Sequence, residues 1–302
     1  MVRVTRRAAI ALGAGVALAA AGGTGAAHAE PTAENLRYQG YRPEDRSLPY
    51  AKYLAERTAP PQRPVLDAYD GPATPPERIP GFADLPRDLA PTGYSAVETG
   101  YGQAADGVIW VAAHTEMPGV TAEMWDWWFR WHSVEASRYK LWHPDAHLFS
   151  DLVPSRPRAE RFGYVGTVSY VDEYIGARLQ QLAIAFLDPR AHGLTVPDDQ
   201  TVVFGRVGSS VAPVDLGWLA HQVRPIPGGA EMRSRFHLRH YGLHPPDLAQ
   251  SARAVQRGAA ADPRDLVPGL DMARDLLLHC GQEMNHLAGF LPELYAEFRD
   301  QA

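Results

Sequence analysis

The sequence predicts an α+β fold, an antiparallel sheet wrapped on a long C-terminal helix, and three observations lead there. Segments rich in β-branched and aromatic residues follow one another from Gly107 onward, which is the pattern of successive strands. The chain then closes on LLLHCGQEMNHLAGFLPELY, where apolar residues such as Leu276, Leu277, Met284 and Leu287 recur at helical spacing. No internal repeat and no glycine-rich phosphate loop interrupts this order, so strands in succession followed by a helix point away from an alternating parallel arrangement. With 302 residues, 45% hydrophobic and 10% aromatic, the chain can bury a sizeable core, in one large or two modest domains.

The chain opens on a basic start (Arg3, Arg6, Arg7), an apolar run of small residues and an Ala27-His28-Ala29 end. That layout is a cleavable export signal over residues 1–29; the Arg6-Arg7 pair makes it twin-arginine-like, with an ordinary secretory signal as the alternative. The run is too short and too rich in Ala and Gly to span a bilayer, so the expected mature protein is exported and carries no membrane anchor. Removing residues 1–29 takes away three arginines and no acids, leaving 26 basic against 35 acidic residues and a formal charge of −9. Such a surface argues against nucleic acid and anionic membrane as partners. Cys280 is the only cysteine, so no intramolecular disulfide forms, and it reads as a small buried residue.

Residues 30–105 are rich in proline, with a short helical stretch near 50–57, and are expected to form an extended arm or small accessory domain. The domain that follows, 106–302, carries the strands: GVIWVAAHTEM, RFGYVGTVSYVDEYIG, LQQLAIAFLD, QTVVFGRVG and GGAEMRSRFHLRHYG. Two helices accompany them. One is expected over 121–139, N-capped by Thr121 after Pro118-Gly119, and the other over 270–290, entered through Pro268-Gly269.

The chemistry concentrates in two places. On the last helix His279 and Glu283 stand four residues apart, so an imidazole nitrogen and a carboxylate oxygen share one face and can converge on a metal ion; a local His–Glu hydrogen bond is the other reading. The apolar surroundings favour a partner for that carboxylate, because an unpaired buried charge is costly. The second place is WDWWFRWHSVEASRYKLWHPDAH, residues 125–147. Most of its aromatics fit a core, but Pro144 ends the regular structure and leaves His143 and His147 on a constrained loop, a usual setting for metal ligands or substrate contacts. Downstream, Asp172 and Glu173 interrupt an apolar strand whose alternation sends one carboxylate to each face, one of them inward.

EMWDWWFRWH, RYKLWHPDAH, EMRSRF and HCGQEMNHLAGFLPELY, in this order, resemble the 2,4-diacetylphloroglucinol hydrolase family, which includes phloretin hydrolases; the likeness runs from about Thr115 to the C-terminus. The resemblance implies a Bet v 1-like helix-grip domain, a small N-terminal domain used in homodimerisation, and a zinc ion (Zn2+) held by two histidines and two glutamates. Carried over motif by motif, the ligands fall on His147, Glu173, His279 and Glu283, with His143 as the alternative to His147. A substrate-contacting tyrosine falls on Tyr139 and a histidine that meets the substrate's oxygen on His221, and these two are the catalytic candidates. Where the family has a phenol late on the EMRSRF strand, this chain has Phe236 and His237, which leaves Phe236 as pocket wall and His237 as a replacement contact. His114, His132, His240 and His286 are expected to be structural or supporting.

The implied reaction is hydrolysis of the carbon–carbon bond between an acyl group and a polyhydroxylated ring by zinc-bound hydroxide, with a small aromatic ketone as partner. Hydroxyls ortho and para to the acyl group let the ring leave as a carbon, with Tyr139 and His221 steering protons. Two other classes stay open on the residues alone. The same hydroxide would serve an ester or amide hydrolase, and a helix-grip cavity rich in aromatics would suit a secreted binder of aromatic ligands.

Overall fold

The computed structural model of the chain describes residues 40–154, 159–244, 247–257 and 267–301; the export signal expected over 1–29 lies outside the described residues. In the Pro-rich segment, α1 (Arg63–Asp70) has a proline in its first turn, where the missing N–H is no loss, and α2 (Leu85–Asp88) is a single turn. β1 (Gly100–Gln103) and β2 (Ile109–Pro118) make a hairpin. The segment expected to end near 105 therefore runs into the sheet itself, and its Tyr50 and Val65 are buried in the main core.

The helix expected over 121–139 is two helices, α3 (Ala122–Trp131) and α4 (Ala136–Trp142). Thr121 caps the first as anticipated, its side chain accepting from the Met124 amide at 3.3 Å. The break follows because two side chains bond back to the preceding turn: His132 Nδ1–H donates to the Trp128 carbonyl at 2.7 Å and Ser133 Oγ–H to that of Phe129 at 2.8 Å. Trp125, Trp127, Trp128 and Trp131 are all buried, so the aromatic density here is core, with Trp127 stacked on Trp131 and Trp125 set edge-on to Trp142.

Six strands follow: β3 (His147–Val153), β4 (Val168–Ile175), β5 (Arg178–Leu187), β6 (Thr201–Ser209), β7 (Val214–Ile226) and β8 (Gly229–Leu243). Two of them were not foreseen. His147 begins β3 rather than ending a loop, and His221 sits in β7, where Gly217, Pro213 and Pro225 obscure the strand pattern. The order is β1-β2-β8-β7-β6-β5-β4-β3, antiparallel throughout. After β8 come α5 (Leu248–Gln256), α6 (Leu270–Ala288) and a separate short α7 (Leu291–Phe298), so the last helix stops two residues before the expected 290.

The sheet wraps α6, which packs on β1 and β2 and reaches β4. Alternation sorts the strands into an inner face (Val111, Val171, Ile184, Leu219, Phe236) and an outer one, with register shifts between His147 and Phe149, Val207 and Gly208, and Asp215 and Gly217. The outer face of β8 is unusual in burying two arginines. Arg235 Nε donates to Asp88 at 2.8 Å and its Nη2 to Glu98 at 2.8 Å, while Arg233 Nη2 reaches Glu98 at 2.6 Å. These pairs account for the arginines of EMRSRF: they fasten the 88–98 segment across the back of the sheet, and removing one partner would strand a buried charge.

Candidate metal centre and pocket

The inner face of the sheet and the buried side of α6 meet over a cavity; Glu173, His279 and Glu283 line it, and His147 is fully buried beside them. On α6, His279 and Glu283 are both buried, as their i, i+4 spacing on the inward face requires. Opposite them stands the start of β3, where His147 pairs in register with Glu173 of β4. Three chain segments far apart in sequence, around His147, Glu173 and the His279–Glu283 pair, thus converge. His147 Nε2 lies 3.5 Å from Glu173 Oε2 and 3.6 Å from Glu283 Oε2, and His279 Nε2 lies 3.9 Å from each of those oxygens. Ligand atoms of His147, His279 and Glu283 all fall within 4.8 Å of one another, a group able to hold a metal ion.

The protonation states suit that use. Burial holds His147 well below the ordinary histidine range and takes His279 down to about 4, so both imidazoles are neutral at pH 7. His147 Nδ1–H donates to the Tyr139 carbonyl at 3.0 Å, which puts the lone pair on Nε2, the atom aimed at the cluster. That Nε2 is buried and has no hydrogen-bond partner among the described residues. Burial also raises both carboxyls, Glu173 to about 7 and Glu283 well above its usual value, the latter further raised by Glu173 beside it. An orphaned imidazole nitrogen against two desolvated carboxyls is a donor set whose natural counterpart is a divalent cation.

Around this cluster the remaining predicted residues divide. Tyr139 lines the pocket; its ring stacks on His147 with centroids 3.8 Å apart and its hydroxyl donates to Glu173. His221 also lines it, neutral because burial lowers its pKa to about 3, with Nδ1 held 2.8 Å from Ser234 Oγ. Phe236 is a wall of the same pocket. His237 is not: one residue further along β8, it faces the other side of the sheet and meets Phe82 edge-on at 5.5 Å. The expected substrate contact at His237 is therefore corrected, for the alternation that brings Phe236 inward turns its neighbour out. Asp172 likewise faces outward, to Arg257 at 2.6 Å, leaving Glu173 as the inward carboxylate.

His143, the alternative ligand, has another occupation. Its Nδ1 is 2.8 Å from Thr58 Oγ1 and its ring stacks on His279 at 4.7 Å, so it ties the Pro-rich segment to the back of a cluster residue. Ala59 N–H donates to His286 Nδ1 at 3.0 Å, two turns beyond His279 along α6. Sequence reasoning missed Thr58 and Ser234 and left His132, which lines the pocket, among the supporting residues. A signal existed for Ser234: it lies two residues from Phe236 and so shares its inward face.

A family model for the DAPG hydrolase PhiG domain matches residues 79–296. The chain is 30% identical over 272 residues to a 2,4-diacetylphloroglucinol hydrolase of a Pseudomonas species, spanning 84% of this chain and 89% of that protein. It is 30% identical over 274 residues to a phloretin hydrolase of Eubacterium ramulus, spanning 86% of this chain and 94% of that one. Among solved structures, Ara h 8.0201 overlaps 57% of this chain and 99% of its own length at 11% identity, with a TM-score of 0.29.

Proposed function

We infer what this protein does from one premise: the chain belongs to the DAPG hydrolase family. It is an enzyme, and its reaction is hydrolysis of an acylated, polyhydroxylated aromatic ketone at the bond joining acyl carbon to ring carbon. Water divides between the fragments, its hydroxyl going to the acyl carbon to give a carboxylic acid and its proton to the ring carbon to give the deacylated phenol. The observation that carries this reading is the convergence of His147, His279 and Glu283, with Glu173 beside them, at a pocket lined by Glu173, His279, Glu283 and His221.

His147, Glu173, His279 and Glu283 would hold zinc, since neutral imidazole and carboxylate are ligands that suit it. A zinc ion bound there would supply Lewis acidity and a source of hydroxide near neutral pH. Everything else falls to the chain. Tyr139 orients two ligands at once, stacking on His147 and donating to Glu173. His221 is neutral, so its second nitrogen is free to hydrogen-bond a ring hydroxyl while Ser234 keeps the first in place. Phe129 and Phe186 close the pocket against water around a flat ring.

The experiment is metal analysis of the purified protein together with product analysis on mono- and diacetylphloroglucinol. About one zinc per chain, with acetate and a deacylated phenol as products, is expected. An active protein free of transition metal would remove zinc from the reading; zinc-loaded protein that cleaves phenyl esters and leaves every polyhydroxyaryl ketone intact would replace it with an ester hydrolase.

A further inference from the structure

Against the pocket over the metal cluster lies a second chamber of different chemistry. Glu173, Ile184, Leu219, Phe236 and Leu276 line both. Beyond that junction, the second chamber is lined by Ile175, Leu182, Val207, Leu216, Leu238, Met272 and Pro268. Among the described residues they include no hydrogen-bonding side chain apart from Glu173 at the junction. The first chamber is the opposite: Phe129, His132, Trp142, Phe186 and His221 give it aromatic faces and imidazole nitrogens.

Only one orientation of an acylphenol satisfies both chambers. Ring hydroxyls pushed into the aliphatic chamber would lose water and find no partner, a substantial penalty for each. With the ring in the first chamber and the carbonyl over the cluster, what continues past Glu173 is the acyl tail. Resting on the hydrolase reading above, we propose that the aliphatic chamber is an acyl-tail subsite, and that this enzyme selects ketones whose acyl group is an unfunctionalised alkyl chain longer than acetyl. A tail ending in a phenol, as in phloretin, would bury its hydroxyl against leucine and valine. A site that cannot pair a polar group discriminates against the substrate that carries one.

The test is kcat/KM of the zinc-loaded full chain on acetyl-, butanoyl- and hexanoylphloroglucinol, and on phloretin against its analogue lacking the distal hydroxyl. Each methylene moved from water into the chamber is worth a factor of about four, so butanoyl should exceed acetyl by roughly tenfold or more. The analogue should exceed phloretin by about tenfold. Filling the chamber with Met272→Trp, and separately with Leu216→Phe, should bring the butanoyl-to-acetyl ratio close to one, in protein whose near-UV circular dichroism and zinc content match the parent. Hydrolysis of acetylphloroglucinol at least as fast as of butanoyl, or an unchanged ratio in both fillers, would overturn the subsite and leave the hydrolase reading intact. Failure on every ketone would sink the hydrolase reading, and the subsite with it.

Discussion

Glu173→Gln should have opposite effects on the metal-free and the zinc-loaded protein. In the structure the Glu173 carboxyl is buried beside Glu283, and burial raises its pKa from 4.5 to about 7 even though Tyr139 donates to it. For a carboxyl raised on folding, the associated stability is fully present below 4.5 and is lost as pH climbs through about 7, because the unfolded chain gives up the proton first. At about 1.4 kcal/mol per pH unit, that displacement makes ionising Glu173 in the chelated protein cost about 3 kcal/mol by pH 8. A carboxamide keeps an acceptor for Tyr139 and never ionises. Chelated Glu173→Gln should therefore be more stable than the chelated parent at pH 8, by roughly 5 °C or more in Tm, and the advantage should vanish near pH 4.5. Glu283, whose carboxyl the Glu173 charge raises further, is relieved by the same change, which adds to the difference. With zinc the order should invert, since the parent binds more tightly and gains about 4 kcal/mol at a thousandfold excess over Kd. Thermal unfolding in chelator and in zinc, from pH 4.5 to 8, reads all of this. A chelated variant less stable than the parent at pH 8 would refute the electrostatic argument for the cluster.

Two further outcomes separate ligands from supports. His147→Ala should abolish zinc retention measured by elemental analysis, while His143→Ala should keep about one zinc per chain and lose about 1 kcal/mol of stability, the worth of its bond to Thr58. Gly281→Ala should loosen the Pro-rich segment from α6, because the added Cβ would lie 2.7 Å and 2.9 Å from the Val65 methyls and 3.1 Å from Pro61 Cβ. A loss of about 1–3 kcal/mol by denaturant unfolding is expected, recovered in part by Val65→Ala in the same chain; no loss would mean the contact yields freely.

How far the sequence reaches is clearest in single residues. His279 and Glu283 were legible as a pair because i, i+4 geometry is local: the helix alone puts both on one face, whatever surrounds it. Local alternation likewise says that only one of Asp172 and Glu173 points inward, and the same rule, applied to Phe236, would have turned His237 outward. The α+β class followed from the succession of strand-like segments and the final helix. The family likeness rests on residues too, on four motifs in order, and it named His147, Tyr139 and His221 without any geometry. Beyond that reach, long-range pairing decides. Which carboxylate faces in depends on β3 meeting β4 so that His147 sits opposite Glu173. Whether His143 or His147 aims a bare nitrogen at the carboxylates depends on distant segments meeting: His143 is tied to Thr58 with its ring against His279, while His147 Nε2 lies 3.5 Å from Glu173 and 3.6 Å from Glu283. The aliphatic chamber exists only where β4 to β8 curve over α6, its walls drawn from residues 173 to 276. Sequence patterns report periodicity within an element, so they reveal which face a side chain takes; they hold no record of which faces are brought together, and a metal cluster or a substrate chamber is made of such meetings.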